Sequence, residues 1–415
     1  MLDERAGLPV PADFAAPPDA ATRLRWRDAD RAHRPSRLAG LRAHLGTLGL
    51  DGYFGIRREH MRWLSGFTLA EGEEKVAGHS GQLLVGTHEL IVLTDSRYTV
   101  QARREAPDCG VEEIGYDLPA HWPRLLARLG IRRLGADAGS VPHALWEKLV
   151  AAAPDVELVA MDGWIDAQRA IKTPDEVERI AAACAVADRA LAALLPAIRP
   201  GRTEQELALE LEWGIRTGGA EALAFDVACL AGAEAALPHG SPGDRPVTAG
   251  AVLLFDFGAQ VEGYRSDMTR TLFIGEPASR DFEVYRLVAA SQQAAMDAIA
   301  DALTAGAAGG AVPEIPDGRR LDAISRGLID ADGRWPAYQH GLGHGIGLAT
   351  HEEPRLSRSA PETALVSPTV FSVEPGIYLE GETGVRIEDL VHLDAAHGTL
   401  ERLTLFPRDV IALPA

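Results

Sequence analysis

Gln339–Pro354 reads QHGLGHGIGLATHEEP and sets His340, His344 and His351 among four glycines. Imidazoles offer metal coordination and proton transfer near neutral pH. Glycines let a backbone approach a ligand closely or take positive φ. A structural histidine cluster in a Gly-rich turn has the same composition, so this segment alone does not separate binding from packing.

Two acid-bearing stretches narrow the choice. Ala251–Gly275 (AVLLFDFGAQVEGYRSDMTRTLFIG) reads as two strands around the turn VEGY. With the turn centred at Val261/Glu262, Asp256 and Asp267 stand directly opposite each other and point to one face. Facing carboxylates repel unless a cation or a shared proton intervenes. Another register would leave both acids in solvent, yet Asp256 lies within the apolar run LLFDFG, where an uncompensated charge is costly. Thr369–Leu393 (TVFSVEPGIYLEGETGVRIEDLVHL) repeats the device: centred at Gly381, its hairpin makes Glu374 and Glu388 face each other. Four carboxylates and an imidazole form a hard, oxygen-rich donor set that suits Mn²⁺, Co²⁺, Fe²⁺ or Zn²⁺ better than copper or an iron–sulfur cluster. Two divalent ions balance the four negative charges, and a water between them ionises near neutral pH.

These segments need a scaffold. In residues 36–50 the leucines at 38, 41, 45 and 48 have helical spacing. Gly81–Thr94 (GQLLVGTHELIVLT) reads as a β-hairpin turning at Gly86–Glu89. Helices over Pro119–Leu129 and Pro142–Ala153 alternate with the strands RRLGAD and VELVAMD, which indicates an α/β domain ending near Gly163. A second domain opens at Ile171. Thr173 is placed as N-cap, Pro174 at the first helical position and Glu176 as partner in a capping box, starting an Ala-rich helix to about Ile198. Thr203 and Glu206 form a second box for a helix to about Arg216, and further helices are expected over Ser279–Ala305 and Leu321–Asp330, joined by the Gly-rich Gly306–Gly318. The expected division is a loose arm over 1–35, an α/β domain over 36–165 and a second domain over 166–415.

The net charge of −19 opposes nucleic acid or an anionic membrane as partner. Cys109, Cys184 and Cys229 are too scattered for a disulfide framework or a zinc knuckle, and they fit a reducing compartment. No stretch is expected to have the length of a transmembrane helix, and the first twenty residues lack the apolar run of a signal peptide, so a cytoplasmic location is expected.

Together, DFGAQVEGYRSDMTRT, HGLGHGIGLATHEEP, VEPGIYLEGETGVRIED and the PHG of Pro238–Gly240 resemble the proline-specific metallopeptidases of the pita-bread fold, the Xaa-Pro aminopeptidases and Xaa-Pro dipeptidases (prolidases). WLSGF and LTDSRY resemble that family's N-terminal domain, so the likeness covers nearly everything after about Ser36. It implies an α/β (α+β) chain in which a creatinase-like N-terminal α/β domain precedes a pita-bread catalytic domain. It implies one metal ion held by Asp256, Asp267 and Glu388 and a second by His344 and Glu374, with Asp267 and Glu388 bridging both. Mn²⁺ is the ion expected first, with Co²⁺, Zn²⁺ or Fe²⁺ as substitutes. All five positions carry the expected residue type, against a degenerate pseudoenzyme and against the creatinase branch.

The resemblance further implies that His351 is a proton shuttle, that His239 and His340 line the substrate, with His239 close to the chemistry, and that Arg386 pairs with a ligand carboxylate. Arg97 resembles an arginine projected into some family active sites, and it reads equally as a surface helix residue; His340 also reads as a packed core histidine. The implied reaction is hydrolysis of the Xaa-Pro bond at a peptide N-terminus by a hydroxide between two metal ions, in a homodimer acting on peptides with proline second. That bond is a tertiary amide without an N–H, which suits a site that polarises the carbonyl rather than gripping the backbone. The alternatives are strict dipeptidase action, methionine removal, a lyase or small-amide hydrolase on the same fold, and a non-catalytic binding protein.

Overall fold

The computed structural model describes residues 8–69, 80–309 and 313–415. The chain forms two compact units, one of residues 20–166, the other of residues 167–415 together with the segment before Ala20.

In the first unit a six-stranded mixed sheet carries helices, as the alternating pattern requires. The expected hairpin is present, with Val85 paired to Leu90. Phe54, Leu84, Ile91, Leu93 and Leu134 are fully buried, and Trp122 meets Phe54 edge-on at 5.0 Å between ring centroids.

The loose arm expected over residues 1–35 needs correction from residue 8 onward; residues 1–7 lie outside the described chain. One helix, Ala20–Thr47, runs straight through Pro35. A proline inside a helix removes one backbone bond, but here Trp26, Leu41 and Leu45 bury one stripe of the helix, and Arg37 donates to the Trp63 carbonyl at 3.0 Å. The preceding segment packs on the second unit: Phe14 stacks on Phe406 at 6.2 Å, and Arg189 donates to the carbonyls of Pro11 (2.7 Å) and Phe14 (3.3 Å).

The second unit opens with the expected capped helix, Pro174–Leu194, whose Glu176 carboxylate accepts from Thr173 N at 2.7 Å. Contrary to expectation, Pro174–Ala197 is long and apolar enough by length and composition to cross a membrane, with mean hydropathy 1.6. The fold gives that composition a cause: Ile180, Ala183, Cys184, Ala187 and Leu191 are buried in the unit's own core. The second capping box forms reciprocally between Thr203 and Glu206, and Ser279–Gly309 is one helix of 31 residues, extending into the connection expected to be loose; residues 310–312 of that connection lie outside the described chain.

Two antiparallel arrays position the acids. In the first, Asp256 pairs with Thr269 and Val261 with Tyr264, so the turn is centred at Glu262/Gly263 rather than Val261/Glu262. Asp267 is therefore a diagonal neighbour of Asp256 and not its direct partner. The cause is the turn: Glu262 and Gly263 both have positive φ, 47° and 80°, the conformation of a two-residue loop whose twist matches the strands. In the second array Leu379 pairs with Thr383, Gly376 with Arg386 and Val373 with Asp389, the register centred at Gly381 as expected.

Candidate metal centre

Asp256 lies in the strand Val252–Phe257, and Asp267 in the step between the short strand Tyr264–Arg265 and Met268–Ile274. Glu374 and Glu388 lie where the second array opens, between the pairs Val373–Asp389 and Gly376–Arg386. Each glutamate turns its backbone outward from that opening. Glu374 N donates to Leu342 O at 2.8 Å, and Glu388 N donates to Thr269 O at 3.1 Å. These two bonds draw the histidine segment and the aspartate strand to the same point. His344 is the middle residue of the strand Gly343–Gly345. A Cβ at Gly343 would lie 1.9 Å from Ser372 O, and one at Gly345 2.0 Å from Glu353 O, so only glycine fits on either side of His344.

Single ligand atoms of Asp267, His344 and Glu388 all lie within 4.8 Å of one another. His344 Nε2 is 3.7 Å from Asp267 Oδ2 and 3.4 Å from Glu374 Oε1. His344 Nδ1 donates to Gly345 O at 3.0 Å, which turns the Nε2 lone pair toward the acids. Burial and then the neighbouring carboxylates push Asp267 and Glu388 well above the usual carboxylate range; burial first also raises Glu374 and lowers His344. Three buried oxygens, Asp256 Oδ1, Asp267 Oδ1 and Glu388 Oε1, have no hydrogen-bond donor. Buried acceptors without donors are rare, and this convergence is what a hard cation completes. The donor set fits divalent metal.

Arg386 ties the acids together. It donates to Asp256 Oδ2 at 2.6 Å, to Thr269 Oγ1 at 2.9 Å and to Tyr378 Oη at 3.0 Å. Thr269 Oγ1 in turn donates a hydrogen bond to Glu388 Oε2 at 2.8 Å. Ser372 Oγ donates to Glu374 Oε1 at 3.1 Å while accepting from His344 N at 3.0 Å. Thr269, Ser372 and Tyr378 were not legible as site residues individually. Thr269 and Ser372 each stand two positions from a ligand, where strand alternation places them on the ligand's own face.

The His351 ring lies 4.2 Å from that of His344 and keeps solvent access. Desolvation, then His344 and His239, lower its pKa to about 4, so it is a neutral imidazole at neutral pH. His239 is exposed on the turn after Gly232–Ala236, within electrostatic reach of His351. His340 shares its Nε2 with Tyr378 Oη at 2.9 Å, and its Nδ1 donates to Gly341 O at 2.7 Å. Arg97 belongs to the first unit. There its guanidinium chelates Asp95, Nε to Oδ1 at 3.0 Å and Nη2 to Oδ2 at 2.9 Å, and reaches Ser80 Oγ at 2.7 Å.

Residues 178–395 match metallopeptidase family M24, and residues 37–171 match the creatinase/prolidase N-terminal domain. An uncharacterized peptidase of Bacillus subtilis is 32% identical over 91% of this chain and 100% of its own length. The Xaa-Pro dipeptidase of Pyrococcus horikoshii is 36% identical over 68% of this chain and 76% of its own. Among solved structures, the X-Pro aminopeptidase of Thermotoga maritima superposes with a TM-score of 0.79 at 33% identity, covering 91% of this chain and 99% of that one.

Proposed function

Because the chain belongs to metallopeptidase family M24, with a creatinase/prolidase N-terminal domain ahead of the peptidase domain, we propose that it hydrolyses the Xaa-Pro bond at the N-terminus of peptides as an Xaa-Pro aminopeptidase. The observation that carries the reading is the meeting of three donorless carboxylate oxygens with His344 Nε2. Asp256, Asp267, His344, Glu374 and Glu388 would hold two divalent ions, Mn²⁺ in the first instance. Such ions, when bound, polarise a carbonyl and acidify water. The protein's own part is to hold and move protons. Neutral His351 takes a proton and delivers it to the proline nitrogen as the C–N bond breaks. His239 and His340 line the approach, and Arg386 orients Asp256 through its hydrogen bond to Oδ2.

Substrate length follows from the cations. A dipeptide ends in a carboxylate directly after proline, and a free cation is the usual means of binding it. Arg386 already serves Asp256, Thr269 and Tyr378, and Arg265, whose charge reaches His351, donates to Ala224 O at 2.5 Å and Thr350 Oγ1 at 3.0 Å. This favours peptides extended beyond proline. The dipeptidase reading is the second one, favoured by the name of the Pyrococcus relative; the Arg97 suggested by the resemblance would bind the carboxylate only by giving up its chelation of Asp95. The test compares kcat/KM for an Xaa-Pro dipeptide with the same sequence extended by two or more residues, in the presence of Mn²⁺. Higher values on the longer peptide support the aminopeptidase. A preference for the dipeptide that disappears in Arg97→Ala assigns dipeptidase action, and no release of proline or a proline-headed peptide refutes both. The homodimer implied by the resemblance is part of the same proposal and is checked by light scattering.

A further inference from the structure

The two glutamates stand at an interruption in an otherwise continuous ladder. The register centred at Gly381 is the same on both sides of the gap, yet the pairs Val373–Asp389 and Gly376–Arg386 belong to different sheets. Pro375 has no N–H to offer the facing strand, which removes one ladder bond at this point. The glutamates send their own N–H groups elsewhere, to Leu342 O and Thr269 O. An opened ladder leaves carbonyls inside the core without donors, and each such group needs a substitute partner.

One side chain supplies it. Gln292, fully buried on the helix Ser279–Gly309, shares the two protons of Nε2 among three acceptors, Val373 O at 2.9 Å, Asp389 Oδ2 at 3.0 Å and Ile387 O at 3.2 Å. Val373 immediately precedes Glu374, and Ile387 immediately precedes Glu388. A single primary amide thus bridges the carbonyls just ahead of both glutamates. Its own orientation is set from the other side, where Arg408 Nη1 donates to Gln292 Oε1 at 3.2 Å.

We propose that Gln292 is a positioning residue for the metal centre: its amide wedges the opened ladder at the width that lets Glu374 and Glu388 converge on the same ions. This rests on the assignment of the two glutamates as metal ligands. The width matters because a bridging carboxylate tolerates little displacement, and groups that orient metal ligands typically contribute about 10–100-fold to metal affinity. Methionine has nearly the volume of glutamine and none of its hydrogen bonds, so Gln292→Met removes the bridge while filling the space. In that variant Asp389 Oδ1 keeps Arg270 at 2.7 Å and Thr404 at 2.6 Å, and Oδ2, which loses the glutamine, keeps the Arg408 charge at 3.7 Å.

The experiment is a Mn²⁺ titration of full-length metal-free protein by calorimetry, beside thermal melting without metal. Gln292→Met should bind Mn²⁺ about 10–100-fold more weakly than wild type. Ser291→Ala is the control for plain loss of stability: Ser291, next to Gln292 on its helix, donates Oγ to Ser325 O of the helix Gly318–Asp332 at 2.8 Å, so the variant should melt earlier and keep wild-type affinity. Arg408→Met, which frees the glutamine carbonyl and leaves Gln292 bonded to Val373 O and Ile387 O while removing the charge 3.7 Å from Asp389 Oδ2, should weaken Mn²⁺ binding by a smaller factor and serves if Gln292→Met does not fold. Wild-type affinity in the glutamine variant, or in Arg408→Met when that is the variant available, overturns the inference, as does an equal loss in Ser291→Ala. Wild-type protein that takes up no Mn²⁺ overturns the ligand assignment and the inference with it.

Discussion

Substituting Glu352 by glutamine should unbalance a buried charge cluster next to His351. The Glu352 carboxylate is held by Arg169, by Lys172 Nζ at 3.5 Å and by Ala349 N at 2.8 Å, and the Arg169, Lys172 and Glu352 side chains are 3%, 2% and 4% exposed. Gly347 closes over it, since a Cβ there would lie 2.7 Å from Glu352 Oε2. Glutamine keeps the shape and removes the carboxylate charge paired directly with both cations, leaving Lys172 only the weaker field of Glu176. Breaking a buried pair from one side costs about 3–5 kcal/mol, because the remaining charge stays desolvated. For a unit of this size that corresponds to a fall in melting temperature of roughly 6–20 °C. The cost depends on pH in a defined sense. Burial already lowers the Lys172 pKa, and Glu352 opposes that shift, so the variant lowers it further. Folding then releases a proton from Lys172, and stability rises with pH between the folded pKa and the unfolded value. The deficit relative to wild type should shrink as pH rises toward the unfolded lysine value, and Lys172→Met in the same chain should recover part of it. Differential scanning calorimetry of the single and double variants measures both. A deficit that is constant with pH and untouched by Lys172→Met would refute the account of unpaired buried charge.

His351→Ala should retain both metal ions by elemental analysis and lose about 10²–10⁴-fold in kcat, the usual contribution of a proton-transfer group; wild-type kcat with full metal content removes His351 from the reaction. Dialysis against a chelator should abolish turnover and Mn²⁺ should restore it, whereas full activity in metal-free protein would contradict the site. Asp137, buried and hydrogen-bonded to Asp162, has its pKa pushed up to about 6. A raised acid pKa gives stability that is present below the unfolded value and lost as pH rises through the folded one, so the loss falls between about pH 4 and 6. Asp137→Asn should match wild type at pH 4 and exceed it by about 1–3 kcal/mol at pH 7, allowing for solvent screening in its cavity; equal pH profiles by denaturant titration would show that the pair is not coupled to folding.

The legible parts of this chain were those where local chemistry is unambiguous. Both capping boxes and the Gly381-centred hairpin follow from residue types at fixed offsets. The first hairpin was misplaced for a physical reason. Register is normally readable because one face of a hairpin is wet and the other dry, but Met268–Ile274 is buried at every position, so no alternation marks the pairing. The turn gave no clear sign either, because its first left-handed residue is Glu262 rather than glycine or asparagine. Gln292 was invisible as a site residue. A polar residue on a long helix reads as surface, and only the opened ladder opposite it gives its amide a task. The arm over residues 1–35 misled in the other direction, reading as loose chain where residues from Ala20 onward belong to a helix that packing holds continuous through Pro35.

The stacking of Phe14 on Phe406 has a consequence for chain connectivity. The second unit begins before the first and resumes after it, so residues 20–166 are, in covalent order, a guest looped out of their host. Such an arrangement gives the guest two attachment points, and a cut at either end alone leaves the other in place. A fragment started at Ala167 would therefore be an incomplete peptidase unit, missing the strip that lays Phe14 on Phe406 and gives Arg189 its backbone acceptors. Excising the guest and joining Asp19 to Ala167 through a linker would keep that strip, and is the route by which the peptidase unit could be prepared whole.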